Sequence, residues 1–115
     1  MTTLKRERLV YTYAPQGRPH GLLIASEAGD NGIVVEHAIV LPGAPQRTLR
    51  GMLRAGWDAA LTYGYRAVMV WVPVDDPRAG TLAGLLMHYG FVPYAEQPDG
   101  AWWHRGTEGT VSHGR

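Results

Sequence analysis

The sequence has 115 residues, 45% of them apolar and 18% charged, with a formal net charge of +1. That is enough chain for one domain around one core, a balance that excludes intrinsic disorder, and too little net charge to hold a nucleic acid or an anionic membrane by a global field. The absence of cysteine excludes disulfides, thiolate nucleophiles and zinc-thiolate sites together.

The opening stretch MTTLKRERLVYTY has no apolar core of signal-peptide length, and no segment approaches the ~20 apolar residues of a membrane span. A cytoplasmic protein is expected. Arg8 to Tyr13 alternates as a strand and ends at Pro15 in the turn-rich APQGRPHG. A second strand runs from about Leu22 to Glu27. It is followed by Asp30-Asn31-Gly32, a strong hairpin signal because Asn and Gly accept the positive φ of tight turns. The third strand, Ile33 to Leu41, is apolar on both faces except at Glu36 and His37. Neighbours on a regular strand point to opposite faces, so only one of these two is expected in any given cleft.

From Thr48 the period becomes helical. Leu49, Met52, Leu53, Trp57, Ala60 and Leu61 fall on one stripe, and Gly64 stands where a left-handed C-cap is wanted. AVMVWVPV, from Ala67 to Val74, reads as a strand covered on both faces. Past the Asp75-Asp76-Pro77 break, Leu82, Leu85, Leu86 and Tyr89 mark a shorter helix closing at Gly90. Phe91 to Tyr94 and Ala101 to His104 form a last hairpin that turns at QPDG. The expected order is β-β-β-α-β-α-β-β, a mixed and mostly antiparallel α/β sheet with two helices. It makes a single domain over residues 1–105 and a flexible tail over 106–115.

Three segments, VVEHAIVLPG, TLRGMLRAGWDAALTYGYRAVMVWV and LLMHYGFVPY, resemble in this order the core of the GNAT (N-acetyltransferase) superfamily. They match its coenzyme-binding strand, the helix and strand that follow, and its last helix running into a Gly-Phe strand. The resemblance implies an N-acyltransferase that moves an acetyl group from acetyl-CoA to an amine. It also implies a short form, without the strand and two helices that usually precede the meander and wall the acceptor cleft. Glu36 is then the candidate general base. Val40, Leu41, Gln46, Arg47, Thr48, Arg50 and Gly51 are the candidate coenzyme contacts.

Two positions depart from the family pattern. The pyrophosphate loop, commonly Q/R-x-x-G-x-G/A, falls on Gln46 to Gly51 with Leu49 in place of its first glycine. The family's tyrosine acid falls on Leu86. Tyr89 and His88 are close in sequence but point elsewhere on the helix.

Each candidate has a plainer reading beside it. Arg47, Arg50 and Arg54 stand near a helix N-terminus, where the macrodipole disfavours cations by ~0.3–1 kcal/mol each. They are either compensated by a bound anion or an ordinary solvated face. Ten of the eleven basic residues are arginine, a bias that genome composition explains as readily as anion recognition does. Glu36, among Val34, Val35, Ala38 and Ile39, is either a partly desolvated base or a carboxylate paired with an arginine. The five histidines show no ligand spacing, so no metal site is expected. Adjacent Trp102 and Trp103 face both ways on a strand, into the core or toward a partner subunit.

A homodimer is expected, since a sheet without its leading elements leaves an edge and apolar surface to cover. The competing reading is a catalytically silent GNAT-like binding or assembly module of the kind a phage or mobile element encodes. A third is nucleic-acid binding through the arginines and tryptophans.

Overall fold

The computed structural model describes residues 8–29 and 31–107. Its elements follow the expected order. They are β1 (Arg8–Tyr13), β2 (Gly21–Ala28), β3 (Gly32–Val40), α1 (Thr48–Thr62), β4 (Ala67–Pro73), α2 (Ala79–His88), β5 (Val92–Gln97) and β6 (Gly100–Gly106), with a 3-10 turn at Pro15–Gly17. The six strands form one sheet in the order β1-β2-β3-β4-β6-β5. Every neighbouring pair is antiparallel except β3 with β4, which are joined through α1 and run parallel.

Local chemistry sets the junctions. Asn31 takes a φ of 66° in the β2–β3 turn, as the hairpin signal requires; Asp30 of the same signal lies outside the described residues. The Asn31 side-chain amide donates to the Gly64 carbonyl at 2.7 Å and its own carbonyl accepts the Arg66 N–H at 2.7 Å, tying this turn to the α1–β4 junction. Both helices end by one device. Gly64 (φ 79°) and Gly90 (φ 85°) turn left-handed, so the N–H of the next residue, Tyr65 or Phe91, reaches back to the carbonyl of Ala60 or Leu86. α2 begins at Ala79, earlier than its apolar stripe indicates, after a turn in which the Asp76 carboxylate accepts the Arg78 N–H at 2.7 Å.

Both helices pack on one face of the sheet. Leu49, Leu53 and Ala60 of α1 and Leu82 and Leu86 of α2 share a core with Ala25, Ile33, Val68, Val70, Val72 and Trp103. β4 is therefore not covered on both faces, as its apolar run suggests. Val68, Val70 and Val72 are buried under the helices, while Met69 and Trp71 are half-exposed on the other side, where no described element lies. The adjacent tryptophans divide in the same way. Trp103 is in the core at 7% exposure, and Trp102 is half-buried on the open face beside Trp71.

The ordered chain also runs further than residue 105. Gly106 pairs with Ala67, and the buried Thr107 donates from its N–H to Arg66 O and from its hydroxyl to Tyr65 O. Residues 108–115 of the expected tail lie outside the described residues.

Candidate functional site

β3 and β4 pair from Gly32–Ala67 as far as Val35–Val70 and no further. β3 nevertheless continues to Val40 and β4 to Pro73, so the sheet opens in a wedge past that pair. The helices that follow these strands both start at the open end. A crevice beyond the carboxyl ends of parallel strands, flanked by helix N-termini, is where open α/β sheets bind ligands. Arg78, at the start of α2, reaches from the β4 side to the Ala38 carbonyl on β3 at 3.4 Å, and its Nε lies 3.5 Å from the Asp76 carboxylate.

Glu36 stands at the mouth of this wedge on a β-bulge. Ile24 of β2 pairs with His37 and Ala25 pairs with Val35, which leaves Glu36 as the extra residue of β3. The bulge breaks the alternation of faces. Glu36 and His37 consequently line one cleft of ≈ 260 Å³, with Trp71, Gln97, Asp99 and Trp102, contrary to the expectation that only one of them could. Trp71 follows the last paired residue of β4 as Glu36 follows that of β3. Trp71 and Trp102 pair across β4 and β6 with ring centroids 5.0 Å apart. Glu36 is half-buried, and among the described residues no basic side chain forms an ion pair with it, so the arginine-paired reading is not realised.

The start of α1 carries the other candidates. Arg47 is its N-cap residue, with no side-chain cap and no acidic residue in the first turn. Arg47, Arg50 and Arg54 are exposed, and none is paired with a carboxylate among the described residues. Gln46 is exposed beside them, and Val40 is half-buried at the end of β3. Leu41 spends its N–H on the His20 carbonyl at 2.9 Å.

Three positions face inward instead. Thr48 is 3% exposed and its hydroxyl meets no partner among the described residues. Leu49 is in the core, as its place in the stripe requires. The space beside Gly51 is taken by the Tyr13 hydroxyl. Leu86 is fully buried, and neither His88 nor Tyr89 lines the cleft that holds Glu36.

No protein-family model and no curated protein matches the sequence. Solved structures match the fold. PaiA N-acetyltransferase from Thermoplasma acidophilum, in complex with coenzyme A, superposes with a TM-score of 0.67 over 86% of this chain and 60% of its own, at 9% identity. IAA acetyltransferase from Bacillus cereus ATCC 14579 gives 0.70 over 86% and 77%, at 13% identity. The spermidine/spermine N-acetyltransferase SpeG from Vibrio cholerae gives 0.66 over 87% and 64%, at 16% identity.

The chain has the GNAT fold. At these identities the likeness concerns the fold alone, and the chain spans 60% of the length of PaiA. Within this GNAT-fold sheet, His37, Asp99 and Arg78 stand at the wedge or its cleft without any sequence signal for that place. His37 gets there by the bulge, Asp99 by the β5–β6 turn, and Arg78 by the turn before α2. The bulge itself leaves no mark in GIVVEHAIV, where Glu36 and His37 read as ordinary neighbours on a regular strand.

Proposed function

We propose that this chain is an acyl-CoA-dependent N-acyltransferase that moves an acetyl group from acetyl-CoA to an amine. The observation that carries the reading is the bulge at Glu36, where β3 and β4 part, because it gathers a proton acceptor and an imidazole in one cleft at the wedge. An amine attacks a carbonyl only as the neutral base, so a carboxylate that removes its proton on arrival is the first requirement. Glu36 Oε supplies it, directly or through one water. In this reading His37 passes a proton to the departing thiolate, in place of the tyrosine that Leu86 cannot be.

Trp71 and Trp102 line the cleft together with Glu36 and Asp99. This suits an acceptor that arrives as an ammonium ion, held by cation–π attraction and carboxylate charge.

The residues at α1 suit the anionic end of a coenzyme by charge rather than by a glycine cradle. Arg47 and Arg50 are exposed and have no carboxylate partner among the described residues, and the helix start beside them has no side-chain cap. Bound there, acetyl-CoA would supply an activated thioester carbonyl and a thiol leaving group.

The proposed assembly is a homodimer through the open sheet face, where Ile39, Val92 and Tyr94 are exposed. The second reading, a silent binding module, is favoured by the buried Leu49 and by the filled space at Gly51.

The test is thiol release from acetyl-CoA with a panel of aliphatic diamines and polyamines. Glu36→Gln is expected to lower turnover roughly 100- to 10,000-fold while leaving coenzyme affinity unchanged. Equal turnover in the variant removes Glu36 as base. Binding without turnover on any amine favours the silent module.

A further inference from the structure

The molecule holds a second space, on the helix-covered face of the sheet and distinct from the Glu36 cleft. An apolar cavity of ≈ 400 Å³ lies between α1 and the first three strands. Leu23, Ala25 and Val35 line its sheet side, and Leu53, Ala59 and Ala60 its helix side. Phe91, 5% exposed, closes the inner end, while Leu9, Tyr11 and Tyr63, at 37%, 38% and 77%, form the rim.

α1 and β2 already touch at Gly56. A Cβ added there would lie 2.6 Å from Leu23 Cδ1, the tip of that side chain. The space persists beside that contact because the facing residues are alanines. Its far wall is braced as well. Trp57 stands edge-on to Phe91 with centroids 5.6 Å apart, and the Arg105 guanidinium lies 4.2 Å over the Trp57 ring while donating to the Tyr89 carbonyl.

We infer that this cavity binds an uncharged, largely hydrocarbon small molecule, at a site separate from the Glu36 cleft. Among the described residues no Asp, Glu, Lys or Arg side chain lines it to compensate a charged ligand. Tyr65, on its wall, donates its hydroxyl to the Glu27 carboxylate at 3.0 Å. Burial, and then that carboxylate, raises the Tyr65 pKa, so the ring stays neutral.

Volume bounds the ligand. An engineered apolar cavity of about 150 Å³ stays dry and takes up benzene, and small-molecule pockets begin at about 300 Å³. The space here fits two fused aromatic rings or an alkyl chain of similar bulk. Hydrocarbon seated there would cover apolar surface that the open rim leaves to water.

The probe is N-phenyl-1-naphthylamine, whose fluorescence rises in apolar surroundings, titrated into the full chain. Saturable binding at one site per chain is expected, displaced by naphthalene or decanol and not by acetyl-CoA. Ala60→Phe and Val35→Phe, from opposite walls, should each weaken it about tenfold, since each ring takes the volume of bound hydrocarbon. Each should also hold or raise the thermal midpoint. The second variant keeps the test open if the first does not fold. Absence of saturable binding, as when the chain's own terminal residues fill the space, overturns the inference. So does binding unchanged in both variants, or displacement of the probe by acetyl-CoA.

Discussion

Thr48 shows how one atom separates folding from binding. Its hydroxyl is buried at the first residue of α1 and meets no partner among the described residues, a desolvation cost with no hydrogen bond there to offset it. Thr48→Val keeps the shape and removes the orphan oxygen. Denaturant unfolding of the variant should give a stability higher by about 1 kcal/mol. A loss of that size would mean that the hydroxyl has a partner in solution.

The sequence places Thr48 at the helix start correctly, yet which way its side chain faces depends on where the helix lies against the sheet. Glu36 and His37 teach the same lesson from the other side. Both could be named as the polar pair of an apolar strand. Their meeting in one cleft depends on a bulge set by the register of β2 against β3, a tertiary property that no local pattern records.

The elements themselves were legible because their signals are local and redundant. The stripe of α1, its closing Gly64 and the positive φ at Asn31 each have one cheap solution, and each is adopted. β4 misled because its apolar run reflects composition, whereas its burial on one face only reflects what the rest of the chain provides as cover. The β5–β6 hairpin contributes Asp99 and Trp102 to the cleft and seats Trp71 against Gly100. A Cβ at Gly100 would stand 2.5 Å from both the Val72 carbonyl and Trp71 Cζ2, and the carbonyl cannot yield without moving β4. Gly100→Ala should therefore cost about 1–3 kcal/mol in unfolding experiments and perturb the tryptophan fluorescence of the cleft. Wild-type stability would mean that the hairpin is free to shift away from β4.

For the whole molecule, the described elements leave one sheet face under two helices and the other open, and the open face holds the Glu36 cleft as well as exposed apolar side chains. The open face, with Ile39, Val92 and Tyr94 exposed, is the proposed homodimer contact. Light scattering at tens of micromolar protein should give twice the 12.6 kDa of the chain, and a value of 12.6 kDa would remove the dimer. Trp103 is in the core and takes no part in that contact, so only Trp102 is available to it.

The central claim is that the wedge between β3 and β4, with the arginines of α1 beside it, holds an acyl-coenzyme A. It is tested most directly by calorimetric titration of the full chain with acetyl-CoA. The account predicts one site per chain whose affinity falls as salt rises. The Arg47→Ala/Arg50→Ala double variant should bind about tenfold or more weakly, with a flatter salt dependence. No heat and no thermal shift at millimolar acetyl-CoA, or an affinity that the double variant leaves unchanged, would contradict it.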